Sequence, residues 1–170
     1  MTDRDYVVRD ANPHDLDAIR DLTLRAYAEY ASVMTSDSWS GLAAAVRAAL
    51  ASTDPMERIV ADDNGTLIGS VLLYPASARA YGDLAGVGGT PELRLLAVAE
   101  EARGRGVGRA LVEECIRRAR RDGASALGLH TSRSMTTAMG LYRRMGFERA
   151  PELDFQPPGA ELVEGFRLCL

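Results

Sequence analysis

Apolar and polar positions alternate in short blocks over the first 75 residues and again from residue 92 onward. Tyr6-Val7-Val8-Arg9 predicts a first strand. Asn12 and Pro13 suit a helix cap and first turn, with His14 on the surface of that turn. Leu16, Ile19, Leu22, Leu24, Ala26 and Tyr27 then give the helix one apolar side. Glu29 to Ser40 breaks the pattern, and an Ala-rich second helix is predicted from about Trp39 to Ala51. From Arg58 to Tyr74 two apolar runs flank Asn64-Gly65, the two-residue turn of a hairpin. Ser77 to Thr90 is glycine-rich without a period and reads as a loop, with Tyr81 and Asp83 as candidates to line a pocket.

The most informative stretch follows, from Glu92 to Asp122. Leu93 to Val98 is a short aliphatic run, as a buried strand requires. Arg103-Gly104-Arg105-Gly106-Val107-Gly108 is a tight Arg/Gly turn. Leu111, Val112, Cys115, Ile116 and Ala119 then recur at helical spacing, with charges on the other face. A strand, a glycine turn and a helix N-terminus in that order form an anion site. The first helical N–H groups lack intrahelical partners, and glycines allow a phosphate to approach them.

The remaining pattern is a strand at Ala124 to Thr131, a short helix from Ser134 or Met135 to Met145, and a strand opening at Phe147-Glu148-Arg149. Pro151 to Gly159 holds three prolines and reads as an ordered loop before a last strand, Leu162 to Leu170. The order predicts a mixed α/β sheet in one domain spanning residues 1–170.

Spacing discriminates among phosphate-binding motifs. No Lys-Ser/Thr follows the glycines, which excludes the P-loop. Gly104, Gly106 and Gly108 give Gly-x-Gly-x-Gly rather than the dinucleotide fingerprint Gly-x-Gly-x-x-Gly. What remains, Arg103-x-x-Gly106-x-Gly108, resembles the pyrophosphate loop of the GNAT-type N-acetyltransferase superfamily. Ala138-x-x-Leu141-Tyr142-x-x-x-Gly146-Phe147 resembles a second signature of that superfamily, in the usual order.

The resemblance implies a twisted sheet of six to seven strands with about four helices. The strands bearing Leu96 and Leu129 would splay into a V for the pantetheine arm. It implies acetyl-CoA as donor, held by the backbone of Leu96, Ala97 and Val98 and by Arg103, Gly104, Arg105, Gly106, Val107, Gly108 and Arg109. Arg103 matches the family's Gln/Arg position; an arginine of this turn, Arg105 in particular, could also serve only as a salt-bridge partner of Glu100 or Glu101. Tyr142 matches the tyrosine that in many members protonates the departing thiolate. Glu92 opens the strand, where a glutamate acts as general base in several branches; Glu152, Asp154 and His130 are fallbacks, His130 reading more naturally as a packed histidine. One departure stands out: many members carry Asn seven residues before the tyrosine, and here Met135 stands there. Ser132, Ser134 or Thr136 could supply a polar contact in its place. Acceptor specificity in the family resides in the first helices and the last loop, which here offer Tyr27, Tyr30, Trp39, Asp154 and Phe155. The acceptor expected is a small-molecule or peptide amine, and a homodimer is common in the family. An acyl-CoA-binding sensor that kept the fold without catalysis is the second reading.

Composition adds exclusions. The 170 residues carry a net charge of −4, which disfavours nucleic acid as a partner. No apolar run is long enough to span a bilayer, and Met1 to Asp5 holds no apolar leader, so a cytoplasmic location is expected. All 20 basic residues are Arg, which excludes any lysine-based chemistry. The Arg117 to Arg121 cluster reads as a solvated helix end, and Cys115 and Cys169 as buried thiols without metal-ligand spacing.

Overall fold

The computed structural model describes residues 4–77 and 89–170, so Tyr81 and Asp83 lie outside the described residues. The strands are β1 (Val7–Asp10), β2 (Glu57–Asp63), β3 (Thr66–Tyr74), β4 (Glu92–Val98), β5 (Ala126–Ser132), β6 (Glu148–Arg149) and β7 (Val163–Cys169). The helices are α1 (Leu16–Ala28), α2 (Ser36–Ala51), α3 (Val107–Arg121) and α4 (Thr136–Arg144). The seven strands form one mixed sheet in the order β1-β2-β3-β4-β5-β7-β6. Among the described residues only the β4–β5 pair is parallel.

The sheet is covered on both faces, and β3 shows it. Every residue from Ile68 to Tyr74 is buried, as expected for a strand between two helical layers. Val71 and Leu73 pack in one cluster with Val107, Ala110 and Leu111 of α3. Leu72 and Tyr74 pack in another with Val46 and Ala49 of α2. The Asn64-Gly65 turn forms as predicted, both residues at positive φ (51° and 91°), the geometry a two-residue hairpin turn demands.

β4 departs from regular alternation. Leu93 lies in the α3 cluster and Leu95 in the α2 cluster, although residues two apart on a regular strand share a face. The cause is a bulge. Ser70 opposes Ala97 and Leu72 opposes Arg94, so two steps on β3 meet three on β4. Leu95 takes up the extra residue in the left-handed region, at φ 54°. That conformation costs an L-residue about 1–2 kcal/mol. Burying a leucine side chain returns ~1.5–3 kcal/mol, enough to offset it.

Three expectations are corrected. α2 starts at Ser36, not Trp39, because Thr35 caps it by accepting the Ser38 N–H. Arg118 is not solvated: it is buried, and its guanidinium donates to Glu114 (2.8 Å), Asp10 and Glu57. Carboxylates from β1, from β2 and from its own helix thus draw it inward. Cys115 is buried as expected, but Cys169 ends β7 exposed to solvent.

Candidate active site

The Arg/Gly turn is shaped by Gly104 and Gly106, both near φ +78°, a region glycine enters without strain. A Cβ at either would meet nothing within 4 Å, so backbone conformation and open space both favour an approaching ligand. Gly106 caps α3 with no side-chain hydrogen bond. Ala110 is bonded back to Gly106 O at 3.0 Å. The preceding amides, Val107, Gly108 and Arg109, point out of the positive end of the helix. The arginines here are tethered. Arg103 donates to Glu29 (2.8 Å), not to Glu100 or Glu101. Arg105 donates to Asp63 (2.9 Å) and Arg109 to Glu113 (2.8 Å). Arg105 and Arg109 also line a cavity of about 580 Å³ with Arg4, Tyr6 and Gly106.

β4 and β5 pair at a single position, Glu92 opposite Gly128, and then diverge. Beyond it, the side of β4 facing β5 carries no strand partner among the described residues, while its other side pairs with β3 through Val98. Leu96 and Val98 are half-buried there and Ala97 is buried. An extended chain could lie in this opening as an added strand edge, with an anion at the α3 N-terminus beside it.

At the foot of the opening two titratable side chains meet. His130 Nδ1 is hydrogen-bonded to Glu92 Oε1, and His130 Nε2 donates to the Leu153 carbonyl at 2.8 Å. The imidazole is 3% exposed and the carboxylate 17%. A carbonyl can only accept, so Nε2 keeps its proton, and the exchangeable proton lies between Nδ1 and Glu92. Burial alone would lower the His130 pKa. The Glu92 hydrogen bond and charge, with the Leu153 carbonyl, outweigh burial and raise it above the ordinary 6.5. Gly165 makes this arrangement possible. It opposes His130 on β7, and a Cβ on it would collide with Leu153 Cβ and lie 3.0 Å from Ala150 O. Without a side chain there, the Pro151–Leu153 turn packs down and brings its carbonyl to the ring.

His130 lines a cavity of about 600 Å³ together with Tyr27, Arg94, Leu95, Met135 and Phe155. The expected packed histidine is thus buried and also faces the cavity. Phe155 stacks obliquely on it, ring centroids 5.2 Å apart. Tyr27 meets Tyr30 edge-on at 5.7 Å. Tyr142 is 5% exposed and packs edge-on against Phe147 at 5.8 Å. Burial, then the nearby Tyr27, Tyr30 and Cys115, raise its pKa well above the usual value, so its hydroxyl stays protonated. Tyr30 and Tyr142 are not part of the cavity wall, and three further candidates stand elsewhere. Trp39 is half-buried on α2 but is not part of the cavity wall. Asp154 is held bidentately by Arg149 (both 2.8 Å) and accepts the Gly165 N–H at 2.8 Å. Glu152 pairs with Arg167 (2.9 Å) on the surface.

Comparison with known proteins bears on this geometry. A profile described as the Acetyltransferase (GNAT) family matches residues 16–147. The chain belongs to the acetyltransferase (GNAT) family. It is an acetyl-CoA-dependent N-acetyltransferase. No curated protein matches its sequence. Solved structures share the fold. Ribosomal-protein-alanine N-acetyltransferase from Brucella melitensis is 24% identical, with a TM-score of 0.67 over 96% of this chain and 99% of that one. A GCN5-related N-acetyltransferase from Kribbella flavida is 25% identical, with a TM-score of 0.64 over 97% and 98%. A GNAT family acetyltransferase from Elizabethkingia anophelis, with acetyl-CoA bound, is 20% identical, with a TM-score of 0.59 over 98% and 99%.

The acetyltransferase's own features fit coenzyme A. Left-handed glycines and uncapped α3 amides suit a pyrophosphate, and the β4–β5 opening suits an extended amide-bearing arm. Among the described residues, no helix is long and apolar enough to cross a membrane. The Glu92–His130 pair was only half legible: both residues are candidates in the sequence, but nothing in their spacing of 38 residues announces that they touch.

Proposed function

We propose that residues 1–170 act as one domain that acetylates a primary amine of a small molecule or peptide, with the Glu92–His130 pair as proton acceptor and Tyr142 as proton donor. The observation that carries this reading is the hydrogen-bonded pair itself, half-buried at the foot of the β4–β5 opening with His130 on the cavity wall. Acetyl-CoA, when bound, would supply an acetyl group as a thioester, whose CoA thiolate is a good leaving group. The α3 amides of Val107, Gly108 and Arg109 and the turn Arg103–Gly106 hold its phosphates. The free edge at Leu96 and Val98 orients its arm, and Ala97 backs that edge.

An amine that is protonated in water must lose a proton before it can act as a nucleophile. Above the raised His130 pKa the pair bears one negative charge and has room for one proton. Taking it yields a hydrogen-bonded carboxylate and imidazolium, with the new proton on Nδ1. Tyr142 Oη keeps its own proton at neutral pH. A thiolate, with a thiol pKa of ~8.5, is less basic than tyrosinate, so Tyr142 stabilises the departing sulfur by donating a hydrogen bond as the C–S bond breaks, and solvent completes the protonation. Tyr27, Tyr30 and Phe155 form the aromatic side of the acceptor site. Self-association as a homodimer is part of the same proposal, read by sedimentation.

The test is calorimetric titration with acetyl-CoA and with ATP, followed by an amine panel read through free-thiol release. Binding of acetyl-CoA and not ATP, with thiol release for at least one amine, supports the proposal. Binding without release for any amine would mark an acyl-CoA sensor instead.

A further inference from the structure

The cavity carries a second recognition point, away from the Glu92–His130 pair. Thr131 Oγ1, Ser132 Oγ and Glu161 Oε1 are buried and have no hydrogen-bond partner among the described residues. All three residues line the cavity, and Thr131 and Ser132 are 3% and 4% exposed. Ser132 shares the His130 face of β5, whereas Thr131 turns to the other face with Leu129. Buried polar atoms are nearly always hydrogen-bonded, so the two unmet oxygens on the His130 side, Ser132 Oγ and Glu161 Oε1, point to a ligand that brings donors. The Glu161 carboxylate is also held in place. Its backbone N–H donates to Ser38 Oγ at 2.9 Å, and its Oε2 accepts Ser134 Oγ at 3.1 Å. Ser38 is itself buried on α2. One carboxylate oxygen is therefore fixed and the other is left for a partner.

We infer that Glu161, with Ser132, binds a second cationic group of the acceptor, so that the substrate class is a diamine or another amine with a distal ammonium or guanidinium. Each of the two oxygens can accept an N–H bond, and Glu161 adds the opposite charge. Ser132 stands two residues beyond His130 on β5, ~7 Å along the strand. That separation suits a short aliphatic linker between the reacting and distal nitrogens. Leu42, Ala45 and Ala49 of α2 give the cavity an apolar wall for its methylenes. The inference rests on the proposed reading of this cavity as the acceptor site.

The test uses three probes, 1,4-diaminobutane, butylamine and 4-aminobutanoate, with the wild type and Glu161→Gln. Thiol release gives kcat/KM, and calorimetry on the CoA-loaded protein gives binding without turnover. The wild type should prefer the diamine in both assays. In Glu161→Gln the diamine-to-butylamine ratio should fall by about ten- to a hundredfold, the worth of a hydrogen bond to a charged group. An unchanged ratio, or a wild type that binds the amino acid or butylamine as well as the diamine, overturns the inference. Should the variant fail to fold, the wild-type order of the three probes decides alone. Diamine binding that depends on Glu161 while no probe releases thiol would leave the inference standing and defeat the catalytic proposal.

Discussion

The His130 imidazole meets the Glu92 carboxylate at the one position where β4 and β5 pair among the described residues. Because Glu92 opposes Gly128, its side chain runs alongside a residue with none and reaches the next inward side chain on β5. The strands then part, so the pair sits where the sheet stops being a continuous wall. A parallel register position thereby brings two titratable side chains together.

Gly165→Val should disturb this site from the opposite strand. Any Cβ there collides with the Pro151–Leu153 turn. Overpacking of this kind costs typically ~1–3 kcal/mol, and relief requires the Leu153 carbonyl to leave His130 Nε2. Thermal unfolding should therefore shift down, and the His130 titration followed by NMR should move to lower pH, since the carbonyl helps to raise its pKa. Wild-type values for both would show that the turn does not hold the ring.

Gly106→Leu tests the anion site. At φ +78° a leucine is strained by about 1–2 kcal/mol, which a folded domain tolerates, and the space around its Cβ is open. The effect should fall on the ligand. Acetyl-CoA affinity should weaken by about tenfold or more, the loss of at least one charge-assisted hydrogen bond, as read by calorimetry on a folded variant. Unchanged affinity would move the phosphates elsewhere.

Much of this site was visible in the sequence because it is local. The Arg103 to Gly108 turn lies between an aliphatic run and an amphipathic helix, and Asn64-Gly65 declares its own geometry. The rest depends on contacts across the sheet. Leu95 looks like an ordinary strand residue, and only pairing with β3 exposes the bulge that turns it to the other face. Ser36, Asp37 and Ser38 look like a break until Thr35 is seen capping them. Arg118 looks like its neighbours until Asp10 and Glu57 arrive from other strands. His130 gains its partner from β4 and its second hydrogen bond from a turn that Gly165 lets in.

Tyr142→Phe removes one hydroxyl and keeps the ring against Phe147. A positioned proton donor contributes roughly 10²–10⁴-fold, so kcat should fall within that range while acetyl-CoA affinity stays close to wild type. The loss should shrink when the leaving thiol is more acidic. A kcat within about twofold of wild type, far short of that range, would make Tyr142 a core residue and nothing more.

The most direct measurement is the pH dependence of kcat/KM, with one amine acceptor, for the wild type and Glu92→Gln. The wild-type rate should rise with pH as His130 gives up its proton, on an acidic limb above 6.5 because the folded-state pKa is raised. In Glu92→Gln the charge is gone and any remaining hydrogen bond is to a neutral amide, so only the Leu153 carbonyl still raises the pKa in full, while burial and Arg94, which lower it, remain. The limb should move to lower pH and the plateau should drop. A folded variant whose limb stays where the wild type has it would contradict the Glu92–His130 pair as the proton acceptor.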